Sequence, residues 1–101
     1  MRFTQFYSGA PTCAPSRCVL MTGKHLGHAE IRCNFRVQAA FPQFDEGQYP
    51  LSAAARTFPM ILQGAGYVTG AMGKWGLGPV GSTGERTART SICFSVTTAK
   101  G

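Results

Sequence analysis

Apolar and polar positions alternate at the start of the chain. Met1, Phe3 and Tyr7 share one side of an extended segment, with Gln5 the polar exception, until Ser8-Gly9-Ala10-Pro11 breaks the pattern. This predicts a strand over 1–7 followed by a tight loop. Pro15 fits a first helical turn, where its missing N–H costs nothing, and Val19, Leu20 and Met21 precede Gly23, a natural helix stop. A short helix opening just after Cys13 is therefore expected. Residues 24–56 hold no sustained period and are punctuated by Gly27, Asn34, Pro42, Gly47 and Pro50, which predicts a long irregular excursion of the kind that commonly carries function. Thr57 is a candidate N-cap, Phe58, Ile61, Leu62 and Ala65 fall at i, i+3, i+4 and i+7, and Gly64 or Gly66 ends the run. A second helix follows, with Pro59 in its first turn. Tyr67 to Met72 then reads as a second strand and Gly73 to Gly78 as a glycine-rich turn.

The order strand, helix, loop, helix, strand points to an α/β fold. So many residues between two strands favour a parallel, right-handed crossover, which sets the C-terminal ends of both strands on one sheet edge. Cys13 and Lys74 each lie just beyond such an end, where open α/β sheets bind ligands, so both are expected to face one pocket.

Composition narrows this only a little. With 101 residues, 44% of them hydrophobic, the chain has enough for one modest core, and its 13 glycines show no collagen-like period. The net charge of +6 permits an anionic partner without naming one. No apolar run is long enough for a membrane span, and the opening segment lacks the apolar stretch of a secretory leader. Cys13, Cys18, Cys33 and Cys93 form no CxxC pair and no zinc spacing.

The chemistry concentrates at Cys13-Ala14-Pro15-Ser16-Arg17. A thiol stands at a helix start with a guanidinium one turn further along the same face, a setting that favours an anion. Taken alone, these residues fit equally well a structural thiol, or one of lowered pKa with no chemical role.

The same run, continuing as Cys18-Val19-Leu20-Met21-Thr22-Gly23, resembles the sulfatase signature C-x-P-S-R followed by an apolar pair and Thr-Gly. Gly66-Tyr67-Val68-Thr69-Gly70-Ala71-Met72-Gly73-Lys74-Trp75-Gly76-Leu77-Gly78 resembles the second signature of that family, in the same order. The resemblance covers roughly Met1 to Gly84 and implies an arylsulfatase-like sulfuric ester hydrolase. The implied fold is a partial parallel-sheet sandwich of the alkaline-phosphatase-like type, truncated at both ends. By the same resemblance Cys13 becomes formylglycine, made by a formylglycine-generating or sulfatase-maturating enzyme. Its hydrated aldehyde attacks the sulfur of a sulfate ester, the alcohol leaves, and the second hydroxyl expels sulfate as the aldehyde reforms. Arg17 is placed beside that diol and Lys74 at the sulfate oxygens, with calcium as a Lewis acid bound in part through the modified Cys13. The other calcium ligands of the family, aspartates before the cysteine and an Asp-Asn or Asp-His pair far downstream, have no counterpart here, so calcium should bind poorly. Many relatives carry histidine after Lys-Trp, where this chain has Gly76. His25 and His28 are read as loop residues and Asp45 and Glu46 as solvated acids. Relatives are commonly exported, so the full-length parent is expected to be periplasmic or secreted.

Residues 86–101 hold three basic side chains, four threonines and no acid, so the chain divides into a catalytic-domain fragment over 1–85 and a non-homologous tail. One set of synonymous codons for the tail, read after restoring a single base behind Glu85, encodes Glu-Pro-Asn-Arg-Ala-Asp-Phe-Asp-Leu-Phe-Phe-Gly-Tyr-Asn-Cys-Gln-Arg. That string resembles the Phe-Asp-x-Phe-Phe-Gly-Tyr segment that follows the second sulfatase signature, which suggests a frameshift and a tail with no evolved role. Three other readings remain open. One is a basic nucleic-acid-binding module, disfavoured because the basic residues are scattered, so no nucleic-acid partner is expected. The second is an inactive sulfatase remnant with exposed strand edges. The third is a phosphatase or phosphonate hydrolase relative, against which the Cys-Ala-Pro-Ser-Arg run argues.

Overall fold

The computed structural model describes residues 1–94; the remainder of the tail lies outside the described residues. Helix α1 spans Cys13–Thr22 and helix α2 spans Phe58–Gly64, close to the two sequence windows. Their ends show why. Gly23 adopts a left-handed φ of 68° and returns its N–H to the Val19 carbonyl at 2.9 Å, closing α1 with a single bond. Gly66, at φ 91°, donates to Gln63 at 3.0 Å while Tyr67 donates to Leu62 at 3.0 Å, the paired Schellman closure of α2. Thr57 starts α2 through its carbonyl, which accepts from Ile61 at 3.2 Å, but its hydroxyl caps nothing and is buried without a partner.

The core lies on one side of α1. Ala14, Cys18 and Met21 pack with Ala29, Ile31, Leu51 and Leu77, and Val19, Tyr49, Ala55 and Trp75 cover the rim. Backbone bonds fix this stack: Leu51 donates to the Leu77 carbonyl at 2.8 Å, and the Trp75 indole donates to the Gly84 carbonyl at 2.7 Å. A Cβ at Gly84 would overlap the Leu77 carbonyl oxygen, so only glycine allows this approach. Arg89 reaches in from beyond Glu85. Its guanidinium donates to the carbonyls of Ser52 at 2.6 Å, Thr83 at 3.0 Å and Ala55, and only 2% of the residue is exposed. Burial pulls its pKa down, and the Glu30 carboxylate partly offsets that.

The strand expectations need correction. No strand forms over 1–7: residues 1–9 are exposed, and the Phe3 and Phe6 rings lie against each other with centroids 5.5 Å apart. Alternation describes a segment able to pair, and the described residues offer this one no partner. Strand β1 is Gly70–Met72, shorter than expected because Tyr67 is consumed in the closure of α2. It does pair in parallel, but with strand β2, Ile92–Phe94, in the register Gly70 to Ile92, Ala71 to Cys93 and Met72 to Phe94. A side-chain clasp sets that register. Thr69 N–H donates to Ser91 Oγ at 3.3 Å, Ser91 N–H donates to Thr69 Oγ1 at 3.2 Å, and the Gln63 amide contacts both hydroxyls. Two three-residue strands make a parallel α/β element rather than a sandwich. Among the described residues no helix is long and apolar enough to cross a membrane.

Candidate active site

Cys13 is the first residue of α1, and because Thr12 offers no side-chain cap, the helix start is served from the excursion. Asn34 Oδ1 accepts the Ala14 N–H at 3.1 Å and the Cys13 thiol at 3.4 Å. The excursion is ordered by a short antiparallel contact between Arg36 and Gln48, in which Val37 donates to Gly47 at 3.1 Å and Tyr49 to Phe35 at 2.9 Å. A one-turn 3₁₀ helix at Val37–Ala39 lies inside that loop. The result carries Gln48 across to the helix start, where its Nε2 donates to Cys13 Sγ at 3.7 Å.

The third approach comes from the turn after β1. Lys74 Nζ lies 3.8 Å from Cys13 Sγ, and Gly73 before it takes a φ of 91°. Arg17, one turn along α1, keeps its Nη1 buried with no hydrogen-bond partner, and Gln48 Oε1 is likewise buried and unpaired. Cys13, Arg17 and Lys74, the three residues singled out from sequence, thus meet at one place. Asn34 and Gln48 join them, and no motif announced either one. Their only signal was membership of the long aperiodic excursion.

Electrostatics follow from this geometry. Burial works to raise the Cys13 pKa and is the largest single influence. Donation from Gln48, the Lys74 charge, the Ala14 N–H and, least, the nearby Arg17 outweigh it together, so the thiol sits below its ordinary value. A cavity of about 390 Å³ opens in front, lined by Cys13, Lys74, Gln48 and Phe35, with Arg36 and the acids Asp45 and Glu46 among its walls. Those two acids are exposed to solvent, as expected, yet they also face this cavity. His25 and His28 are exposed turn residues; His25 Nδ1 accepts the Gly27 N–H at 3.1 Å.

Calcium requires six to eight oxygen ligands, several of them carboxylate. Among the described residues no three His, Cys, Asp or Glu side chains come together, and the side chains hydrogen-bonded to Cys13 Sγ are the Asn34 and Gln48 amides and the Lys74 ammonium. The described residues bonded to Cys13 do not by themselves make up such a carboxylate-rich set.

An anion-attracting thiol at a helix start, flanked by lysine and arginine, is the pattern that the sequence comparisons extend. The Sulfatase family model matches residues 1–98. The chain is 43% identical to human arylsulfatase G over 82 residues, which is 81% of this chain and 14% of that protein. It is 37% identical to human arylsulfatase D over 75 residues, covering 74% of the chain and 12% of the relative. With rat steryl-sulfatase the identity is 33% over 78 residues, 77% of the chain and 13% of the relative. The chain belongs to the sulfatase family, whose fold is α/β and whose enzymes are hydrolases. It spans about one-seventh of the length of these curated relatives.

Proposed function

We propose that this chain carries the nucleophile-bearing segment of a sulfuric ester hydrolase acting on sulfate esters, with the residue 13 side chain as the reacting group. The observation that carries the reading is the convergence of Lys74 and Gln48 on Cys13 Sγ at 3.8 and 3.7 Å, with Arg17 one turn away, inside a segment matched by the Sulfatase family. Cys13 Sγ stands in for an oxygen of formylglycine, the aldehyde to which maturation converts this cysteine in the family. When hydrated, that aldehyde supplies one hydroxyl to attack sulfur and a second to release sulfate.

The chain's own residues have distinct roles around that atom. Lys74, as a cation 3.8 Å from it, draws an anionic ester group in and offsets charge building on its oxygens. Arg17 adds a second fixed charge and an unused donor. Asn34 ties residue 13 to the helix start by accepting the adjacent Ala14 N–H. The cavity walls supply Phe35 and polar side chains for the alcohol part of the ester. The sandwich architecture, calcium and the maturating partner belong to the full-length protein and are part of this proposal, not properties of these 94 described residues.

The division near Glu85 is supported by the composition change and the neighbouring-frame string. The family match through residue 98 and the docking of Arg89 weigh on the other side. Sequencing the locus decides it: a sulfatase continuation in the neighbouring frame supports the frameshift, and its absence ends it.

A second reading, an inactive fragment, is favoured by the lack, among the described residues, of any cluster of three His, Cys, Asp or Glu side chains able to hold a metal. The test is mass spectrometry of the Cys13 peptide after expression with a maturating enzyme, alongside an aryl sulfate assay of both this chain and a full-length version from the same locus. Aldehyde at position 13 with turnover only at full length supports both readings together. An unmodified thiol and an inert full-length protein would remove the hydrolase reading.

A further inference from the structure

Gly76 follows Lys74 and Trp75 beside the thiol, and the structure shows what fills the space next to it. A Cβ at position 76 would overlap Gln48 Oε1 and come within 3.5 Å of Arg17 Nη1. The φ of 70° strains any side chain other than glycine, and the space beside it is taken by the far end of the flexible Gln48 side chain, which has to move if a second side chain is to enter. Gln48 arrives from the other side of the cavity, with its Oε1 in the gap and its Nε2 directed at Cys13 Sγ 3.7 Å away.

We infer that positions 48 and 76 share one site beside residue 13 that only one side chain can fill, and that Gln48 is a positioning residue, hydrogen-bonding the group at position 13. This deepens the hydrolase reading and rests on it for what residue 13 does, though not for the contact itself. A primary amide suits that place, since its two ends are a donor and an acceptor and it carries no charge to compete with Lys74 and Arg17. The donor end is used on Cys13. The acceptor end and Arg17 Nη1 are both buried, unpaired and adjacent to position 76. Buried polar atoms left so are costly, and a hydroxyl able to accept from one and donate to the other would satisfy both.

The test uses the 101-residue chain with Cys13 unconverted. A double-mutant cycle compares Gly76→Ala in the wild-type and Gln48→Ala backgrounds by urea unfolding. Backbone strain at φ 70° is the same in both and cancels. If the site is shared, Gly76→Ala lowers the midpoint roughly twice as far when Gln48 is present as when it is absent; equal shifts overturn the shared site. Independently, side-chain amide resonances report the contact. In Cys13→Ala the Gln48 Nε2 protons shift and exchange faster with solvent, while those of Gln63, hydrogen-bonded far from the site, stay put. Unmoved Gln48 resonances overturn the positioning role. The second measurement leaves Gln48 and Gly76 intact, so it decides even if Gln48→Ala does not fold. Neither readout needs the aldehyde. Failure of conversion or turnover would remove the hydrolase reading and leave this pair standing, and an additive cycle would do the reverse.

Discussion

The two helices begin from equally clear sequence signals and end in opposite circumstances. Helix α1 buries Ala14, Pro15, Cys18 and Met21 against segments drawn from the excursion and the second signature. Helix α2 has the more regular apolar stripe, yet Phe58, Ile61 and Leu62 are exposed and Pro59 alone is buried within it. Periodicity tells which face of a helix calls for burial; it does not say whether the same chain supplies the cover. Tyr67, Met72 and the residues around Phe3 and Phe6 add to the uncovered apolar surface. Stability and chemistry are therefore concentrated around α1, while α2 presents a face for contacts the described residues do not make.

That contrast is sharpest in the core. Leu77 and Ile31 are 0% and 1% exposed, and truncating either to alanine should cost about 2–5 kcal/mol by lost transfer energy and cavity formation. Urea denaturation of Leu77→Ala should show the chain largely unfolded in water, given how little stability a domain this small possesses. A Leu77→Ala variant as stable as the wild type would mean that the α1 side holds no real core. The next effect belongs to Arg89. Replacing it with methionine keeps bulk but strips donors from three carbonyls, for a loss of about 1.5–3 kcal/mol, as expected for hydrogen bonds from a charged group. No loss would show that residues beyond Glu85 rest on the fold without supporting it.

How much could be read beforehand follows the range of each interaction. Both helices were legible because their stops are local: Gly23 and Gly66 act within a few residues. The strand over 1–7 failed because pairing needs a partner elsewhere. The true parallel pair was missed because its register depends on Ser91 meeting Thr69 across 22 positions. The site divides the same way. Cys13 and Arg17 are neighbours on one helix, and Lys74 came with a motif. Asn34 and Gln48 reach the thiol across 21 and 35 positions, with no spacing pattern that a single sequence could show.

Asn34 gives the next prediction. Asn34→Ala removes an acceptor from the Ala14 N–H at the helix start, a capping loss of about 1 kcal/mol, with lower thermal stability and no change at α2. A reactivity test then separates fold from chemistry. The Cys13 thiol ionises below its ordinary pKa, so its thiolate fraction near neutrality exceeds that of a free cysteine. Lys74→Met removes a positive neighbour, which raises that pKa and slows carboxymethylation of the Cys13 peptide at neutral pH. The buried Cys18 should stay unreactive in both. Equal Cys13 rates in wild type and variant would show that Lys74 does not act on the thiol.

The smallest effect on stability is expected on α2, and it is the most direct check on the contrast between the helices. Ile61 and Leu62 are 55% and 37% exposed, so changing both to glutamine removes little buried surface and replaces them with residues of good helix propensity. The unfolding free energy should move by no more than about 0.5 kcal/mol, as for surface substitutions generally. Solubility should move much more, because the pair interrupts an apolar patch that includes Phe58 and Tyr67. Light scattering at increasing concentration reads the second quantity and urea titration the first. A large loss of stability would mean that the α2 face is packed within this chain after all. Unchanged stability with suppressed self-association would establish α2 as a surface awaiting cover, and α1 as the side of the molecule that folds for itself.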